Sequence, residues 1–170
     1  MVSTNSPVLV DNCAISACFE VGGWNALVAR YKLETVEEVA SEAATGFQHR
    51  VIIDPRDFRK QVVVHEVTQH DRLAREVEYA ELAALDDGER DLWVHALGRK
   101  DGWVLCGPDI ASIRFGVLAG HAERLISLEE LLSAIGYKPK VKLEEHQTKA
   151  WLRKMVGTFS LEFQFKKIKK

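Results

Sequence analysis

Val8-Leu9-Val10 is a short run of apolar, mostly β-branched residues without polar alternation, the pattern of a strand buried on both faces, and it stops at Asp11. Helical segments are predicted from about Cys13 to Phe19 and from Trp24 to Ala29, with Gly22-Gly23 between them. Tyr31 to Leu33 reads as a brief strand. Thr35-Val36-Glu37-Glu38 then reads as a capping box that opens a helix ended by Gly46. Phe47 to Lys60, with Asp54-Pro55 and mixed charges, is expected to be a loop, and β-branched Gln61 to Val67 a strand. Helices are expected over about Asp71–Leu85 and Gly88–Arg99. A second apolar run follows, Trp103-Val104-Leu105-Cys106, stopped by Gly107-Pro108-Asp109. Ile110, Ile113 and Val117 repeat at helical spacing, Leu125-Ile126 is strand-like, and Ser127-x-x-Glu130 is a second capping box for a helix to Ile135. Strands alternating with helices, two of them uniformly apolar, predict an α/β fold with a five-stranded parallel sheet covered on both faces. Beyond it, a helix over Glu144–Val156 is expected to end at Gly157. Phe159, Leu161, Phe163 and Phe165 then recur at every second position, the period of a half-buried strand or of an extended segment laid in a groove.

Charge changes this picture in one place. The 170 residues carry a net charge near −2, but Lys138 to Lys170 holds ten Lys+Arg against three Asp+Glu, or +7, leaving −9 for residues 1–137. The expected organisation is an acidic domain over 1–137 and a basic C-terminal extension over 138–170, suited to a polyanion or to docking on the acidic body. No apolar run reaches the roughly 18 to 20 residues of a membrane span, and Met1 to Pro7 is polar, with neither the basic stretch nor the apolar core expected of a signal sequence. Cys13, Cys18 and Cys106 form no CxxC pair and are odd in number, so a cytoplasmic protein with reduced thiols and no membrane partner is expected.

Ligands of open α/β sheets bind beyond the carboxyl ends of the strands, where Asp11 and Asp109 both fall. If the two strands are neighbours, their carboxylates converge, and a hard divalent cation such as Mg2+ offsets the repulsion. Each Asp is also placed as a turn former or helix N-cap. Other chemistry has less support. His65-Glu66-Val67-Thr68-Gln69-His70 has HExxxH spacing, which sets its histidines roughly 140° apart on a helix, unlike a zinc-protease motif. GxxxxGK[ST] and GxGxxG are absent, and His49, His95, His121 and His146 are scattered singly.

Four segments resemble the PIN-domain ribonucleases, especially VapC-type toxins and related bacterial proteins: Val8-Leu9-Val10-Asp11-Asn12, Val36-Glu37-Glu38-Val39, Leu85 to Ala96 and Val104 to Asp109. The resemblance covers residues 8 to about 136. It implies a three-layer fold with strand order 3-2-1-4-5 and three or four carboxylates that bind Mg2+ or Mn2+ and hydrolyse RNA to 5'-phosphate and 3'-hydroxyl ends. Carried over residue by residue, it implies Asp11, Glu38, Asp91 and Asp109 as catalytic metal ligands. Glu42, one turn beyond Glu38, is the alternative second acid. Glu89 is the alternative to Asp91, from which it lies roughly 200° around a helix; Asp91 is favoured because Glu89 is also placed as the partner of an Asp86 cap. Asn12 is expected to support the first acid. Gly107 departs from the family, which usually has Thr or Ser there. Arg114, Arg153, Lys154, Lys166 and Lys167 are expected to meet RNA phosphate, with Trp151 placed to stack on a base. An antitoxin protein and a second copy in a homodimer are the expected partners if the chain is the toxin of a toxin-antitoxin pair. The rival reading is a noncatalytic PIN-fold module that binds RNA or protein.

Overall fold

Parallel pairing on both sides of β1 (Val8–Val10) organises the chain. The computed structural model describes residues 6–45 and 53–168, with side chains to Gln164; Gly46, His49 and the start of the expected loop lie outside them. In chain order, β1 is followed by α1 (Asn12–Glu20), α2 (Trp24–Val28), β2 (Leu33–Val36), α3 (Glu37–Thr45), α4 (Pro55–Gln61), β3 (Val63–His65) and α5 (Gln69–Glu78). Then come α6 (Asp87–Gly98), β4 (Val104–Cys106), α7 (Ile110–Leu118), α8 (Leu128–Ala134) and α9 (Lys149–Ile168). Among the described residues the sheet has four strands, all parallel, in the order β3-β2-β1-β4. Val8, Leu9 and Val10 are at most 2% exposed although alternate side chains point to opposite faces, so helices cover this strand on both sides.

The expected fifth strand shrinks to one parallel bridge, Leu125 to Leu105, with the Ile126 N–H donating to the Leu105 carbonyl at 3.0 Å. The Ser127–Glu130 capping box forms in both directions immediately afterwards and turns the backbone into α8. Other expectations are corrected as well. The second strand runs over Leu33–Val36 rather than Tyr31–Leu33, so Thr35 lies inside it. Its hydroxyl donates to the Val10 carbonyl at 2.7 Å instead of capping α3, and Glu38 therefore has no capping box with it. The segment before β3, expected as a loop, contains α4, because Asp54 accepts from the Arg56 and Asp57 N–H groups and Pro55 stands at the first helical position.

The largest correction is at the C-terminus. Gly157 does not end a helix, and α9 continues through it to Ile168. Leu152, Met155, Val156, Phe159 and Phe163 form one stripe at spacings of three and four that faces the core, whereas Leu161, part of the alternating pattern, is 56% exposed. Burial of that stripe outweighs the roughly 1 kcal/mol that a mid-helix glycine costs. The principal partner of α9 is α7, and Phe159 is 9% exposed. Phe159→Ala should lower unfolding stability by about 2 kcal/mol in denaturant melts, whereas Leu161→Ala on the outer side should change it by less than about 0.5 kcal/mol.

Candidate functional site

β1 and β4 are direct neighbours, with Val10 opposite Cys106, so the acids after them do share one end of the sheet. Each also caps a helix. Asp11 Oδ1 accepts from the Ala14 N–H at 2.7 Å at the start of α1, and Asp109 Oδ1 accepts from Ala111 at 2.6 Å and Ser112 at 3.3 Å at the start of α7. The capping and site readings are compatible, because Oδ2 of neither acid takes part in these caps.

Asp11 is buried at the floor of this end, whereas Asp109 and Asp86 are exposed at its rim. Burial, reinforced by the charges of Asp109, Asp86 and Glu42, pushes the Asp11 carboxyl up to about 7. Glu89 belongs to the same group: burial, the Asp109 and Asp86 charges and a side-chain hydrogen bond with Asp109 push it up to about 9. α6 is capped by Asp86, which accepts from the Glu89 N–H at 2.8 Å, so the expected Asp86 cap is present. Glu89 is nevertheless engaged with Asp109. Glu42 is also raised, by burial and by Asp86 and Glu38, and its Oε1 would lie 3.0 Å from a Cβ at Gly88, which brings α3 and α6 into close contact.

Asp91 is placed differently. It is 2% exposed, and both its oxygens accept from Arg72 of α5, from Nε and NH2 at 2.6 Å each. Glu38, one turn before Glu42, adds its charge to both Glu42 and Arg72. The sequence-selected acids thus divide: Asp109 acts on both Asp11 and Glu89, and Glu42 on Asp11, while Asp91 is held in an ion pair. Asp86, read from the sequence only as a cap, joins the first group.

Two further features border Asp11. A Cβ on Gly107 would lie 3.1 Å from Asp11 Oδ2, closer than ordinary van der Waals contact, so the glycine fits the conformation that Asp11 holds as a cap. Asn12 is 7% exposed and its Oδ1 has no hydrogen-bond partner, leaving a buried acceptor beside the acidic floor.

The residues expected to meet RNA are distributed along α7 and α9. Arg114 pairs with Glu162 at 2.5 Å and lies over the Phe163 ring, and Arg153 pairs with Glu130 at 3.0 Å. Lys154 is exposed, Trp151 is half-buried, and the side chains of Lys166 and Lys167 lie outside the described residues.

A separate group escaped the sequence reading altogether. Glu34 on β2, His65 on β3 and His95 on α6 each offer a ligand atom within 4.8 Å of the others and could hold a metal ion. His95 is therefore not an isolated histidine. His65 and His70 of the HExxxH run fall on β3 and α5, so the element break separates them. No local signal unites residues separated by about thirty positions in three elements.

No described helix is long and apolar enough to cross a membrane. Compared with known proteins, the chain matches no family model, no curated protein and no solved structure.

Proposed function

We propose that the chain is a divalent-cation-dependent ribonuclease of PIN type, hydrolysing RNA phosphodiester bonds at the carboxyl end of β1 and β4. The observation that carries this reading is the convergence of Asp11 and Asp109 on neighbouring parallel strands, with Glu89 hydrogen-bonded to Asp109 and both Asp11 and Glu89 raised toward or above neutrality. Carboxylates that repel one another in the metal-free protein are an all-oxygen donor set, which suits Mg2+ or Mn2+. Asp11, Glu89 and Asp109 would hold the ion, with Glu42 and Asp86 completing the negative field. Bound there, it would polarise a phosphoryl oxygen and lower the pKa of a coordinated water.

The protein groups contribute three things. The helix caps fix Asp11 and Asp109 through one oxygen each, so their orientation precedes binding. The protons that burial and neighbouring charge keep on Asp11 and Glu89 must leave when a cation arrives, so metal affinity should rise with pH between about 7 and 9. The +7 extension supplies, through residues such as Lys154, the phosphate-binding charge that the −9 body lacks.

The test is cleavage of unstructured RNA with and without Mn2+. Wild type should cut only with the ion, millimolar Mn2+ should raise the melting temperature, and Glu89→Gln should abolish both effects with little loss of fold. A Mn2+ shift without cleavage would favour the noncatalytic module, which the missing hydroxyl at Gly107 makes the next reading. Neither shift nor cleavage would reject the site.

A further inference from the structure

We propose that Glu34, His65 and His95 form a second cation site, for a borderline transition metal such as Zn2+, sharing no side chain with the acidic cluster. Two imidazole nitrogens with one carboxylate oxygen are a donor set that suits Zn2+, whereas Mg2+ favours oxygen donors alone. Glu34 Oε2 lies 2.7 Å from His65 Nε2 and 3.9 Å from His95 Nε2. Ligand atoms at ~2.0–2.1 Å from a tetrahedral zinc are roughly 3.3 Å apart, so the observed separations straddle the required one and small side-chain rotations suffice. The two imidazole rings stack at 4.1 Å with an interplanar angle of 23°, presenting both Nε2 atoms to the same oxygen.

The surroundings fit a ligand set rather than three stray polar groups. Glu34 is 1% exposed in the interior of β2, and although burial opposes its charge, hydrogen bonds from Lys32, Arg99 and His65 hold its carboxyl below the usual range. Three protein donors leave a fourth position. A cavity of about 420 Å3, lined in part by His70, Val94, His95 and Arg99, borders the group on its His95 side.

Arg99 stands in the place an ion would take. Its NH1 lies 2.5 Å from Glu34 Oε2 and 3.0 Å from His95 Nε2, bridging two of the three donors. The same guanidinium is held by Asp101, through Nε at 2.8 Å and NH2 at 2.6 Å. Displacement of NH1 therefore leaves Arg99 paired with Asp101. The site is a cation position that Arg99 fills in the metal-free protein and surrenders to a better-matched ion, which would then tie the exposed edge strand β3 to β2 and α6.

The experiment is a titration of the full chain with Co2+, read by the visible bands of four-coordinate cobalt, followed by displacement with Zn2+. It is run on wild type and on Asp11→Asn, so that loss of the acidic site leaves the readout intact. One equivalent of four-coordinate Co2+ without sulfur-to-metal charge-transfer absorption is expected in both. Affinity should fall more than about 100-fold in His95→Gln, beyond the range for supporting residues, and rise in Arg99→Gln, where the internal competitor is gone. If His95→Gln does not fold, His65→Gln at the half-exposed edge should show the same fall. Absence of four-coordinate Co2+, a sulfur-to-cobalt band assigning it to cysteine, affinity unchanged by the histidine variants, or affinity not raised in Arg99→Gln would overturn the proposal.

Discussion

Asp11→Asn should abolish metal-dependent RNA cleavage and at the same time make the metal-free protein more stable above neutral pH. The folded pKa of Asp11, about 7, lies above the ordinary value near 3.9, so between these values the folded state holds a proton that the unfolded chain has released. Stability accordingly falls as pH rises through that window, and the full penalty is present above pH 7. At 1.36 kcal/mol per unit it is about 2–4 kcal/mol. Asparagine carries no charge, and its side-chain oxygen can still accept from the Ala14 N–H, so the α1 cap survives. The variant should gain about 2–4 kcal/mol over wild type at pH 8 and about nothing at pH 4, measured by denaturant unfolding without metal. Cleavage should drop at least about 100-fold, and the Mn2+-induced rise in melting temperature should disappear. Equal pH–stability curves for the two proteins, with cleavage retained, would remove Asp11 from the site.

Arg72→Met should be the most destabilising single change on the α5 side. α5 buries none of its own residues, and the Arg72–Asp91 pair and the longer Arg90–Glu76 contact at 3.8 Å tie it to α6. Without Arg72, a carboxylate that is 2% exposed loses both of its hydrogen bonds, and breaking one side of such a pair costs about 3–5 kcal/mol. The double variant Arg72→Met with Asp91→Leu should recover most of that loss, since apolar groups of similar size replace the pair. The same double variant tests the third acid. If Asp91 serves as the anchor of α5 and Glu89 as the ligand, cleavage per folded molecule survives in the double variant and is lost in Glu89→Gln. The opposite pattern would return the role to Asp91.

Local sequence was sufficient for whatever depends on neighbouring residues. Unbroken apolar runs identified β1 and β4, the turn after each placed Asp11 and Asp109 at the carboxyl ends, and Ser127 with Glu130 capped α8. What lay between distant elements was not legible. Glu89 and Asp91 are both acids in the first turns of α6, and only the docking of that helix turns one toward Asp109 and the other toward Arg72. Thr35 has a capping pattern, but pairing of β2 with β1 places its hydroxyl on the Val10 carbonyl. Phe159 and Phe163 satisfy a period of two and a period of four equally well, and burial against α7 selects the helix. Glu34, His65 and His95 come together because β3, β2 and α6 pack side by side. The physical reason is common to all four: periodicity and caps are short-range properties of the backbone, whereas the direction a side chain faces is decided by which surfaces become buried together.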